Sequence, residues 1–192
     1  MPHWRFVAET KRLMEIATDA RALIGKCVLD LGCGSEDTAD RRDWFTRLWN
    51  QIFDPDELTR FEPWYCRVAQ EAGAEVLGID IAANKGEVFR SMPLDLMNAE
   101  TLDCLETESF DAANNMCFTV PPESRRAESG TSPAVMYKLR MDHKAAFDLN
   151  HEIFKQVERI LKNGGIYTLS EFVYKKKRGR LNKHHVIEGL GG

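Results

Sequence analysis

The run Val28-Leu29-Asp30-Leu31-Gly32-Cys33-Gly34-Ser35 constrains what this chain can fold into more than any other stretch of it. Lys26 to Leu31 is a short apolar segment between glycines, which reads as a strand buried on both faces. Gly32 and Gly34 then give a tight bend whose backbone a ligand can approach, because no Cβ stands in the way. Open α/β sheets bind ligands at the carboxyl ends of their strands, where Asp30 and this bend fall. A carboxylate there suits a ligand carrying an ammonium group and sits poorly beside a pyrophosphate. The dinucleotide fingerprint also wants a third glycine three residues after the second, and Asp37 occupies that position. A generic strand and turn, with Ser35 capping the next helix, is the plain alternative.

The rest of the chain alternates in a way that fits such a sheet. Helical periodicity runs from about Phe6 to Ile24 and stops at Gly25. Glu62-Pro63 reads as a cap followed by proline at the first helical position, opening a helix to Ala72 that ends at Gly73. Ala74 to Asp80 is a second strand, and weaker strands are expected at Glu87 to Arg90, Phe110 to Phe118 and Ile166 to Val173. The longest helix is expected from about Asp142 to Lys162, closed by Asn163-Gly164-Gly165. Strands alternating with helices predict an α/β architecture, a mostly parallel sheet with helices on both faces. At 192 residues the chain suits one domain, 1–192.

Charge and cysteine usage narrow the function classes. A net charge of −4 gives no global attraction to nucleic acid or to an anionic membrane. The local exception is the basic run Lys175, Lys176, Lys177, Arg178 and Arg180. Five scattered cysteines, Cys27, Cys33, Cys66, Cys104 and Cys117, form no C-x-x-C pair, so free buried thiols in a reducing compartment are expected and no metal site is. No signal peptide and no membrane span is visible, which makes the cytoplasm the expected location.

The run from Val28 to Ser35 resembles the first motif of the class I S-adenosylmethionine-dependent methyltransferases, which have a Rossmann-like fold. The resemblance implies that Asp30, Gly32, Cys33 and Gly34 hold the methionine part of the cofactor. Val76 to Ile81 is similar to the family's second strand, which implies that Asp80 accepts both ribose hydroxyls with Ile81 beside it. Pro93-Leu-Asp-Leu96 resembles the segment flanking adenine: Asp95 would accept from the amino group, and the backbone N–H of Leu96 would donate to a ring nitrogen. Phe110 to Phe118 resembles the fourth strand, whose end lies beside the sulfonium, and Asn115 and Met116 are carried over from it. Leu161-Lys-Asn-Gly-Gly-Ile166 resembles the turn before the fifth strand and carries no chemistry.

The chain departs from that pattern in several places. Glu36 stands where many members carry a glycine or small residue. A helical insertion is expected at about 37–62, its apolar face (Trp44, Phe45, Leu48, Trp49) forming either a lid over the cofactor or extra packing. A loop insertion is expected at about 119–140; its Val120-Pro-Pro-Glu123 misses both ends of the Asn-Pro-Pro-aromatic signature. After Tyr174 there is room for one strand at most, which predicts a sheet shortened at the C-terminus, with an exposed edge that a second copy could cover as a homodimer. For a general base, His143 at the junction of loop and long helix is the candidate, while His151 reads as a surface or packing residue. The leading expectation is a methyltransferase for a small-molecule acceptor with S-adenosylmethionine as cofactor. An RNA or protein methyltransferase, with Lys175 to Arg180 touching phosphates, and a non-catalytic cofactor-binding or partner-stabilising protein are the alternatives.

Overall fold

A computed structural model of the chain describes residues 23–34, 63–115, 143–169 and 172–186. The expected insertion at 37–62, the loop at 119–140, Glu36, Met116, and the first helix apart from its last two residues lie outside them. Strand β1 (Cys27–Leu31) is followed by helix α1 (Trp64–Glu71), β2 (Glu75–Asp80) and β3 (Arg90–Pro93). A 3-10 turn (Ala99–Cys104) leads to β4 (Phe110–Asn115), then come α2 (His143–Ile160), β5 (Leu161–Leu169), β6 (Phe172–Lys177) and β7 (Arg180–Val186).

These seven strands form one sheet in the order β3-β2-β1-β4-β5-β6-β7. Every pairing from β3 to β5 is parallel, and β6 and β7 add on antiparallel. The strand order reverses between β1 and β4. This is a Rossmann-like α/β sheet, whose ligand crevice belongs outside the carboxyl ends of those two strands.

Alternation along β1 explains how the sheet is covered. Val28 faces one way and packs with Tyr65, Cys66 and Ala69 of α1. Leu29 and Leu31 face the other way and join Ile79, Ala113 and Tyr167 in a second core beneath Leu149, Ile153, Val157 and Ile160 of α2. Those four fall at helical spacing, so one stripe of α2 is buried while Lys144, Asp148 and Glu152 stay wet. Phe154 of α2 meets Tyr167 and Tyr174 edge-on, at 5.9 and 5.1 Å between ring centres. Edge-on pairs add about 1 kcal/mol each beyond simple burial. No described helix is long and apolar enough to cross a membrane.

Four expectations are corrected. Pro63 is the N-cap of α1, one place before the first helical residue. The third strand is Arg90–Pro93, since Glu87 is drawn off into a two-pronged ion pair with Arg67 and Phe89 turns into the α1-side core. Helix α2 ends at Ile160 and β5 begins at Leu161, so Asn163-Gly164-Gly165 lies inside the strand as a bulge and not after the helix. There the register with β4 jumps between Phe110–Leu161 and Ala112–Ile166. Finally, the stretch read as one strand from Ile166 to Val173 is two: Leu169 pairs with Phe172 and the chain reverses. The segment beyond Tyr174 completes β6 and supplies β7, the one further strand its length had room for.

Candidate functional site

The bend after β1 is built by backbone first. Gly32 and Gly34 have φ of +70° and +87°, a region that side chains with a Cβ avoid, so glycine is required at both. The amides of Gly32 and Cys33 donate to the carbonyl of Ile79 on β2, at 2.8 and 3.0 Å. The amide of Gly34 donates to Asp80 Oδ2 at 2.9 Å, while Asp80 Oδ1 takes the amide of Ile81 at 2.8 Å. Asn84 finishes the strap: its Nδ2 donates to the Gly34 carbonyl at 2.8 Å, and Ser91 Oγ holds its backbone. The glycine bend and the tip of β2 are thus one unit.

Asp80 is half-buried, and removal from water raises its carboxyl above the usual range. The amides of Gly34, Ile81 and Ala82 oppose that rise by stabilising the charge. A carboxylate has about four lone-pair positions, so accepting these three amides leaves room for about one further donor. Ile81 beside it is 58% exposed, an apolar side chain left at the open end.

Asp30 sits differently. It is 3% exposed and turns beneath α1. Its Oδ1 accepts from Asn114 Nδ2 at 2.7 Å and its Oδ2 from the Cys66 thiol at 3.4 Å. Asn114 Oδ1 in turn accepts from Thr168 Oγ1 at 3.1 Å, and Thr168 shares a hydrogen bond with the Tyr65 phenol. Asp30, Asn114 and Thr168 are register partners on three adjacent strands, so the network is a row across the sheet, closed from above by two neighbouring residues of α1. Burial pushes the Asp30 carboxyl up to about 7, against the lowering by Asn114 and Cys66. Burial likewise raises the Tyr65 phenol and the Cys66 thiol, with the Asp30 charge adding to both.

Gly78 belongs to the same row, as the partner of Asp30 on β2. A Cβ there would lie 2.9 Å from the sulfurs of Cys33 and Cys66 and from the Phe89 ring. The absent side chain lets the bend, α1 and the segment before β3 converge. Cys27, Cys33, Cys66 and Cys104 are free thiols.

The remaining candidates divide. Asp95 is exposed, and its Oδ1 accepts the amide of Met97 at 3.0 Å in a local turn. Leu96 is buried in the α2-side core, and Leu94 N–H donates to the Asp80 carbonyl at 2.9 Å, which brings this segment beside the β2 tip. Asn115 is fully buried at the end of β4, its Nδ2 donating to Tyr167 Oη at 3.3 Å. His143 is the first residue of α2, which runs back to the start of β5 and so begins on the carboxyl side of the sheet; its side chain lies outside the described residues. His151 is exposed on α2. Among the described residues no group of three or more His, Cys, Asp or Glu could hold a metal ion.

Sequence reading missed Asn84, Asn114, Thr168, Tyr65 and Cys66. Asn84, four residues beyond Asp80, had a signal in its spacing from the strand end. The others become partners only through the pairing of β1, β4 and β5.

No protein-family model matches the chain, and no curated protein matches it. Three solved structures show what it is similar to. One is a geranyl diphosphate methyltransferase in complex with GPP and sinefungin, 16% identical over 82% of this chain and 42% of that one, with a TM-score of 0.39. Another is an epimerase of the methanogen Methanothermobacter thermautotrophicus, 16% identical over 81% and 38%, TM-score 0.37. The third is a short-chain dehydrogenase of Leptospira borgpetersenii with bound NAD+, 12% identical over 71% and 47%, TM-score 0.31. The chain spans less than half the length of each. The fold assignment rests on its own strand order and not on these likenesses.

Proposed function

We propose that this chain binds S-adenosylmethionine at the carboxyl ends of β1 and β2 and transfers its methyl group to a small-molecule acceptor. The observation that carries the reading is the hydrogen bond from the Gly34 amide to Asp80, which joins two separately recognised strand tips into one ligand-facing edge. Bound there, the cofactor supplies a methyl group already activated by its sulfonium, so the protein needs no covalent step of its own.

The chain's residues have the following work. Asp80, with about one lone-pair position left after its amide contacts, accepts a ribose hydroxyl, and taking the second requires one of those amides to yield. Ile81 offers the exposed apolar surface against which a flat base packs. Asp95 and the backbone of Leu96 flank the same end and read the base edge. Gly32, Cys33 and Gly34 present backbone in close approach to the methionine part. Asp30, 3% exposed beneath α1 and held there by Asn114 and Cys66, is a positioning residue: it fixes the strand tip from which the bend departs. Asn115 at the end of β4 borders the reacting centre, a role the family resemblance also gives to Met116, and His143 at the head of α2 removes a proton where the acceptor is a hydroxyl or ammonium.

An NAD-binding reading uses the same strand ends but lacks the third glycine of the pyrophosphate loop. Thermal melting with S-adenosylmethionine, its demethylated product and NAD separates the two. The expected result is a rise in melting temperature with the first two and none with NAD; a rise with NAD alone overturns the proposal. Transfer of radiolabelled methyl to a metabolite pool then tests the reaction.

A further inference from the structure

The hairpin of β6 and β7 is chemically unlike the rest of the chain. Residues 172–186 contain six Lys or Arg and no Asp or Glu, in a protein whose net charge is −4. Register sets their directions. Lys175 pairs with Ile166 and Asn182, and Lys177 pairs with Arg180, so these cations share the α1-side face of the sheet. Lys176 points to the opposite face, where it is 3% exposed and donates to the Leu161 carbonyl and Glu108. Glu158 accepts the Leu181 amide on that same opposite face. Glu108 is half exposed and also accepts from Asn163 Nδ2 at 3.2 Å, so it offsets one charge beside the turn. Among the described residues no ion pair engages Lys175, Lys177, Arg178 or Arg180.

Two features show that charge sits at this place at a local cost. Lys177 and Arg180 stand directly opposite each other across the ladder, an arrangement of like charges that destabilises a sheet. Arg178 occupies the turn at φ +53°, a conformation in which glycine or asparagine is far easier. Protection of an exposed edge against aggregation accounts for charge on β7. It does not account for Lys175 and Lys177, which lie on the inner strand β6.

The turn is also tied to a second basic feature. Gly179 N–H donates to Asn163 Oδ1 at 3.0 Å, setting the hairpin beside the bulge of β5. That bulge lines a cleft of about 260 Å³ where Lys26 and Lys162 converge on the single carboxylate of Asp111, 3.6 and 2.9 Å away. Two ammonium groups on one carboxylate leave a net positive site. Cleft and turn form one cationic surface at the amino ends of the parallel strands.

We propose that this surface binds the phosphate backbone of a nucleic acid. Lys175 and Lys177 at alternate positions of β6, with Arg180 opposite Lys177, meet a row of phosphates with repeated point contacts. Among the described residues the exposed side chains of the hairpin are Lys, Arg, Asn and, further along β7, His184, with no exposed Phe, Tyr or Trp platform for stacking bases, so recognition is by charge and independent of sequence. The same lack of outward apolar side chains leaves nothing to enter a lipid layer. Because the surface lies at the end of the sheet opposite Asp80, the proposal does not depend on methyl transfer.

The test is fluorescence anisotropy of the full chain with a labelled single-stranded RNA and with a duplex of the same length, titrated over salt. Four unengaged cations give an expected log–log salt slope of about −3 to −4 on the duplex, and a shallower one on the single strand. Whichever probe is bound more tightly identifies the form preferred. Lys177→Glu with Arg180→Glu is expected to weaken binding at least tenfold and flatten the slope by about 2. Lys144→Glu with Lys155→Glu, on the exposed side of α2, changes net charge equally and is expected to leave binding within twofold. Binding to neither probe at low salt, a flat slope in the unaltered chain, or equal losses in both double variants overturns the proposal, as does capture by phosphatidylserine vesicles without nucleic-acid binding. No assay here contains S-adenosylmethionine, so failure would leave the cofactor reading untouched.

Discussion

Asp80 Oδ2 accepts the amide of Gly34 at 2.9 Å across 46 residues of sequence, and this bond, with the Ile79 and Asn84 contacts, makes the tips of β1 and β2 one surface. Its strength comes from position. The carboxylate is partly withdrawn from water, where a charge-assisted hydrogen bond is worth more than on an open surface. The glycine bend, which needs two positive-φ residues, is held in shape by an acid from the neighbouring strand.

Removing that acid has a calculable cost. Asp80→Ala leaves the Gly34 and Ile81 amides without their partner and is expected to destabilise the fold by about 1–3 kcal/mol. Asp80→Asn keeps one acceptor but turns its NH2 toward the other amide, so it should fall between the two. Urea denaturation of the three proteins checks the order, and equal midpoints would show that the bend does not need the carboxylate.

Gly78 carries a packing prediction. A methyl group there meets the Cys33 and Cys66 sulfurs and the Phe89 ring, all at 2.9 Å. Gly78→Ala is expected to cost about 1–3 kcal/mol by overpacking. Cys66→Ala opens space at the same point, so the double variant should be less unstable than the two single losses added together, which a double-mutant cycle measures.

Asp30 makes stability depend on pH. Its carboxyl is raised from 3.8 to about 7 by burial, so between these values the folded chain holds a proton that the unfolded chain has released. The contribution is therefore fully present below about pH 4 and is lost as pH rises toward about 7. Asp30→Asn cannot titrate and removes that slope. Melting temperatures of both proteins from acid to neutral pH should converge at the acid end and separate, with the variant the more stable, as pH rises; parallel curves would show that the buried carboxyl does not titrate in this window.

Much of this arrangement was legible in the residues, for reasons that also explain what was not. The apolar runs ending in Asp30 and Asp80 are short, unbroken and bounded by turn formers, so β1 and β2 fell in place. The stripe Ile153, Val157 and Ile160 marked α2 by period alone. Leu161 continues that stripe and so reads as helix, yet it starts β5, because burial between β4 and β6 outweighs local period. The reversal between Leu169 and Phe172 carries no glycine, proline or asparagine to announce it. Arg178-Gly179 is a turn hidden inside a basic run. The partners of Asp30 were invisible for a different reason: Cys66, Asn114 and Thr168 are scattered along the chain, and only strand register brings them together.

Titration calorimetry of S-adenosylmethionine into the unaltered chain and into Asp80→Ala, with folding of the variant checked by its melting curve, tests the central claim most directly. The expected result is one site in the unaltered chain and at least tenfold weaker binding in the variant, a loss of about 1.4 kcal/mol or more. Binding of equal strength in both, or no heat from the cofactor or its demethylated product in the unaltered chain, would contradict it.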